Sequence, residues 1–344
     1  MYSGAVWVPG LMVETKELSQ FAWLGEALLV NELSPESPPS RLSRAAFEQI
    51  FREVSNWGRW GPADSLGALN FITGAHVARA ARSVRSGRTV GLGLPLDCVS
   101  GPDNPSPAEH RMIVVPEAAN GDEVQFAADF VGVEFHGDAH SHIDALCHVA
   151  FQGKLYNGES ADTITQDGAF RLGVEALSNG VVSRGVLLDI PRLRACEWLE
   201  PGDCVTTADL ERAEEEAGVT VGEGDILLCR TGHARRRRKL GAWPASTAKV
   251  GFHPEAMKWI HSRSVAVIGS DGDSDSVPSL VIGVDYPVHV LAIEAMGVLL
   301  MDCLDLDLLS QACAEEGRWE FLVVIAPLLL VHGTGSPVNP TAVL

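Results

Sequence analysis

Between residues 136 and 148 the chain places four of its 11 histidines and two aspartates: His136, Asp138, His140, His142, Asp144 and His148. Side chains alternate faces along an extended strand, so this spacing predicts that positions 136, 138, 140, 142 and 144 share one face. A row of polar donors on one face is costly to bury unless something pairs with it. Imidazole and carboxylate together suit Zn²⁺, Mn²⁺ or Fe²⁺. A solvated or mutually hydrogen-bonded histidine cluster is the plainer reading. The regular spacing and the apolar neighbours Phe135, Ile143 and Leu146 favour a metal site. His148 lies four residues beyond Asp144. With an unperturbed pKa near ~6.5, its imidazole suits a general base or proton shuttle.

The same residues resemble the signature of the cyclase family of metal-dependent hydrolases, which includes kynurenine formamidases and isatin hydrolases. That signature reads His-x-Gly-Thr-His-x-Asp-x-Pro-x-His. His142, Asp144 and His148 match its second histidine, its aspartate and its last histidine. Asp138 stands at the first histidine's place, His140-Ser141 replaces Gly-Thr, and Leu146 replaces the proline. A register using His136 and His140 as the histidine pair leaves Leu146 at the final histidine's place, so the first register is preferred. The resemblance implies metal ligands His142 and Asp144 with Asp138 as the third, and His140 and then His136 as the alternatives.

Other segments extend the resemblance in sequence order from about residue 50 onward. They are Asn56-Trp57-Gly58 through Asp64-Ser65-Leu66-Gly67-Ala68-Leu69-Asn70, Leu227 to Gly232, Val265 to Asp271, and Gly333 to Pro340. His289 and Asp302 resemble the family's distal histidine and acid, with Asp in place of the usual Glu. They are expected at a second metal position, or in contact with the substrate and the proton in flight. The resemblance implies an α/β chain with a swivelling β/β/α fold, a partly closed β-barrel and peripheral helices. It implies a hydrolase that opens an amide, lactam, lactone or enol-ester bond of a small molecule with metal-activated water. The divalent ion is expected to be Zn²⁺ or Mn²⁺, and the assembly a homo-oligomer, dimer or tetramer. A cyclase or lyase of secondary metabolism and a non-catalytic metal-binding protein are the alternatives. Substrate-binding residues are not assigned.

Charge narrows the partners. With 26 Lys and Arg against 45 Asp and Glu, the net charge is −19, which opposes binding to nucleic acid or an anionic membrane. Seven dispersed cysteines without CxxC pairs suggest reduced thiols and a cytoplasmic location. Cys147 is expected to be packing. The chain has no run of about 18 apolar residues and opens without a basic region followed by an apolar core, so neither a membrane span nor a signal peptide is expected.

Residues 1–40 are expected to form a variable extension and 41–344 a single domain. Helices are expected over 41–54, over 72–86 with Thr73 as cap, over 208–217 capped by Thr206 or Thr207, over 254–262, and around 293–296. Strands are expected over 89–96, 124–135, 181–190, 225–229, 265–269 and 321–330. The basic run Arg235 to Lys239 is read as a solvated helix or loop rather than a substrate clamp. Ser270 to Asp275 lacks the twelfth-position glutamate of a calcium loop and is read as a polar loop near the site.

Overall fold

The structure, a computed structural model, describes residues 40–116 and 124–344. The expected extension at 1–40 thus lies outside the described residues, apart from Ser40. Nine strands form one curled, half-barrel sheet. In chain order they are β1 (Thr89–Gly91), β2 (His142–Asp144), β3 (Val181–Asp189), β4 (Ile226–Arg230), β5 (Val267–Ser270), β6 (Leu299–Asp302), β7 (Glu320–Ile325), β8 (Gly335–Pro337) and β9 (Thr341–Val343). Their spatial order is β1-β9-β7-β3-β4-β5-β6-β2-β8. Strands β3, β4, β5 and β6 run parallel, and the strands on either flank are antiparallel to their neighbours. The mixed α/β sheet matches the partly closed barrel expected from the sequence.

The parallel strands read as unbroken apolar runs because both of their faces are covered. Leu187, Leu188, Ile226, Leu227, Leu228, Val267 and Ile268 are all fully buried. Around them stand α1 (Arg44–Val54), α2 (Gly74–Arg82), α3 (Thr207–Ala217), α4 (His233–Leu240), α5 (Ala256–Ser262), α6 (287–296) and α7 (Asp307–Glu316). Thr206 caps α3 by a reciprocal box: its hydroxyl accepts from Asp209 N at 3.2 Å, and the Asp209 carboxylate accepts from Thr206 N at 2.8 Å. Helix α6 opens as an α-turn over Pro287–His289 and widens to a π-helix over Val290–Met296.

The Trp-Gly and Asp-x-x-Gly segment is a clamp on the end of α6. Asn56 N donates to Ala295 O, Asn56 Nδ2 to Met296 O, and Ala68 N to Gly297 O. The Asp64 carboxylate accepts from Gly67 N, Asn70 Nδ2 and the Tyr156 hydroxyl, which holds the turn. Gly67 has φ +56°, and a Cβ there would lie 2.2 Å from Gly297 O, so only glycine allows the two backbones to meet.

Three strands are shorter than expected, the first of them 89–96, which is strand only over Thr89–Gly91. The strand expected over 124–135 is only Ala128–Gly132, paired with Glu109–Val114 as an exposed hairpin. The strand expected over 321–330 stops at Ile325; Pro327 follows and lacks an N–H for the ladder, and Leu328 to Leu330 are exposed. The basic run is a helix, as expected, with Arg238 and Lys239 exposed, and its side chains are held in ion pairs. It forms α4, where Arg235 pairs with Asp307, Arg236 with Glu200, Arg237 with Asp97 and Asp103, Arg238 with Asp305 and Asp307, and Lys239 with Glu197. Among the described residues no helix is long and apolar enough to cross a membrane.

Candidate metal centre

The extended row expected over 136–144 does not form. Only His142–Asp144 is strand, and 136–140 bends. Strand β2 is wedged between β6 and β8, with Asp302 opposite His142 and Gly335 opposite Asp144. This registers the short donor strand at the carboxyl ends of β5 and β6, the edge where open parallel sheets gather ligands.

Asp144 is the hub, and it is fully buried. His136 Nδ1 lies 3.0 Å from its Oδ1, His142 Nε2 at 3.7 Å and His148 Nε2 at 3.9 Å, while His289 Nε2 lies 3.6 Å from Oδ2. Neither oxygen receives a hydrogen bond of acceptable direction. Burial opposes ionisation of Asp144, but the four surrounding histidines hold its carboxyl well below the usual carboxylate range.

The imidazoles are oriented from behind. His142 Nδ1 bonds the His140 carbonyl at 2.8 Å, which frees Nε2 toward Asp144. His136 Nε2 meets the Thr334 hydroxyl at 3.0 Å, which turns Nδ1 inward. The His136 and His148 rings stack with centroids 3.9 Å apart. Burial pushes His148 down to about 4. His289 Nδ1 lies 2.7 Å from the Asp275 carboxylate, whose oxygens also accept from the backbone N–H groups of Val288 and His289. Burial disfavours the charged ring of His289, yet Asp275, Asp273 and Asp302 raise it to about 10. His289 Nε2 also stands 3.5 Å from Asp302 Oδ2. Burial and the neighbouring Asp273 push the Asp302 carboxyl up, and the Ser274 hydroxyl donates to its Oδ1 at 2.7 Å.

The expected third ligand sits elsewhere. Asp138 is paired with the Lys249 ammonium at 2.8 Å, and Lys249 also pairs with Asp273. A carboxylate held by a buried lysine is not free to join His142 and Asp144, and the bent 136–140 segment brings His136 there instead. His140 is buried with both ring nitrogens unpartnered, and it serves His142 through its carbonyl. His148 reaches the hub through the turn after β2, where its N–H donates to Ala145 O, rather than along an extended chain. Cys147 is buried against Gly333 O, and burial pushes its thiol up to about 12.

Asp273 and Asp275 come from the polar loop after β5, which the sequence places near the site; nothing in the sequence marks Lys249.

Among the described residues three groups have donor atoms close enough to share one ion: His136/His142/Asp144, Asp144/His148/His289, and Asp273/Asp275/His289. The donor set fits a divalent cation. It combines imidazole nitrogen with carboxylate oxygen, and its central carboxylate is orphaned. Five aspartates (138, 144, 273, 275 and 302) gather at the centre, and Lys249, which stands among them, is shared by Asp138 and Asp273. The centre opens into a cavity of about 630 Å³ with an apolar wall of Val149, Phe151, Val284 and Val290 and the Tyr286 ring at its side.

The Cyclase family model matches residues 74–274. A crystal structure described as a novel cyclase shares 31% identity, covers 86% of this chain and 99% of that chain, and superposes with a TM-score of 0.77. The chain belongs to the Cyclase family. Isatin hydrolase A from Labrenzia aggregata, bound to benzyl benzoate, shares its fold at 21% identity, covering 74% of this chain and 93% of its own, with a TM-score of 0.53. An isatin hydrolase bound to the product analogue thioisatinate does so at 18% identity, covering 75% and 92%, with a TM-score of 0.52. No curated protein matches the sequence.

Proposed function

We propose that this member of the family is a metal-dependent hydrolase that opens an amide, lactam, lactone or enol-ester bond of a small organic molecule. The observation that carries the reading is the buried Asp144 carboxylate, ringed by four imidazoles and hydrogen-bonded by none of them. His136, His142 and Asp144 would hold a divalent ion, Zn²⁺ or Mn²⁺, and His289, beside Asp144 and with Asp302 3.5 Å away, offers a second position. When bound, such an ion supplies Lewis-acid polarisation of a carbonyl and a lowered pKa for water.

The chain's own residues divide the remaining work. His148 stays neutral at physiological pH, so its imidazole is ready to take a proton from the attacking water and return it to the leaving nitrogen or oxygen. His289 and Asp302 stand on the opposite side of Asp144, where they can hydrogen-bond the substrate. Lys249 keeps Asp138 and Asp273 neutralised at the cavity wall. The apolar wall offers a surface for the carbon skeleton of the substrate. Benzyl benzoate and thioisatinate, carried by the isatin hydrolases, are aromatic ligands of a kind this wall suits.

The test combines elemental analysis with hydrolysis of simple lactones, lactams and N-formyl amines, with and without chelator. The reading requires metal in the purified protein and turnover that chelation stops and metal restores. Metal-free protein with undiminished turnover would refute it.

A further inference from the structure

A second cavity of about 480 Å³ lies beside the catalytic one, and the Phe151 ring lines both. Its floor is Glu294, which is 1% exposed and whose Oε2 has no hydrogen-bond partner. Its walls are aromatic. Phe51 packs edge-on to Trp57 at 5.8 Å between ring centroids and lies 6.2 Å from Phe151. Glu294 lies on the π-helix, all of whose residues are buried, and Trp57 Nε1 donates to the Glu294 carbonyl at 2.6 Å, fixing the indole as a wall. Such bulges recur at functional sites.

We infer that this cavity binds an organic ammonium ion, with the charged nitrogen on Glu294 and the apolar body against Phe51, Trp57 and Phe151. A buried carboxylate oxygen without a partner is costly, and a cation offsets that cost most directly. Aromatic faces attract the same charge through their quadrupole. Arg44 already uses one face of Phe151 this way, its guanidinium carbon 5.7 Å from the ring centroid. Arg52 and Lys154 at the rim are exposed to solvent, where screening weakens their repulsion of a cation. Glu48, also on the lining, is paired with Arg44 at 3.1 Å, which leaves Glu294 as the acceptor. Burial pushes the Glu294 carboxyl up to about 8, against the pull of the Phe151 backbone amide, so near neutral pH it is largely protonated and gives up that proton as the ammonium ion pairs with it. The site is separate from the metal centre and does not depend on the hydrolase reading.

The test is calorimetric titration of the metal-loaded protein with benzylammonium chloride and with benzyl alcohol as its neutral analogue. The ammonium should bind about tenfold or more tightly than the alcohol. Glu294→Gln should abolish that preference while leaving the alcohol's affinity in place. Asp144→Asn, which changes the catalytic cavity alone, should leave ammonium binding intact. Phe51→Leu gives a second reading if Glu294→Gln does not fold, and should weaken the ammonium more than the alcohol. Equal binding of the two probes to wild type, an unchanged preference in Glu294→Gln or Phe51→Leu, or loss of ammonium binding in Asp144→Asn would each overturn the assignment.

Discussion

His136→Ala and Asp138→Asn separate the ligand set expected from the family signature from the one the geometry favours. His136 Nδ1 stands 3.0 Å from the hub carboxylate, with its other nitrogen anchored on Thr334. Removing a partner that merely orients a ligand typically costs about 10–100-fold in metal affinity, so removing a donor atom should cost more than ~100-fold. Asp138→Asn takes a different toll. The Lys249 side chain is 5% exposed and keeps Asp273 as a partner, so the variant loses one charged hydrogen bond rather than stranding a buried ammonium. That loss should destabilise the fold by about 1.5–3 kcal/mol while leaving metal affinity within a few-fold of wild type. Competition against a fluorescent chelator measures the affinities, and urea unfolding of the same preparations measures stability. If Asp138→Asn lost its metal while His136→Ala kept it, the arrangement described around Asp144 would be wrong.

Three further outcomes are expected. His148→Ala should retain metal yet lose activity by about 10²–10⁴-fold; metal content and turnover on one preparation decide it, and loss of metal would make His148 a ligand. Gly67→Ala should destabilise by more than ~2 kcal/mol, because the new Cβ meets Gly297 O at a positive φ; an unchanged thermal midpoint would refute the clamp. Because Glu294 titrates higher in the folded chain than its ordinary 4.5, it favours folding most at low pH, and that contribution fades as pH rises from about 4.5 to about 8. Glu294→Gln should therefore flatten the fall in stability across that window, as read from urea midpoints at several pH values.

Much of the sheet was legible because its strands are apolar on both faces, and the helices were legible through their caps, Thr73 and Thr206 above all. The limits of the site's legibility are physical. Alternation along a strand is a reliable guide only where the chain is extended, and 136–140 is bent, so parity carried no information about which donor turns inward. The choice between His136 and Asp138 depends on Lys249, which lies 111 residues away in sequence. In the same way, nothing local marks Glu294: it reads as an ordinary helix residue, and only the packing of the whole helix inside the fold buries it. The basic run was readable as a helix but its ion pairs were not, because the counter-charges come from residues 97, 103, 197, 200, 305 and 307, scattered over the chain.

The wedged position of β2 also has a consequence for biosynthesis. Ser141 is held by Cys303 across 162 residues of chain, and His136 by Thr334 across 198. On the ribosome the donor segment emerges long before either neighbouring strand exists to hold it. The parallel strands β3, β4 and β5 can pair as they appear, but the imidazoles around Asp144 stay unassembled until β6 and then β8 close on both sides. A nascent chain therefore offers no finished cation pocket to the metal pool of its surroundings, and competence arrives abruptly, with the last strands to be made.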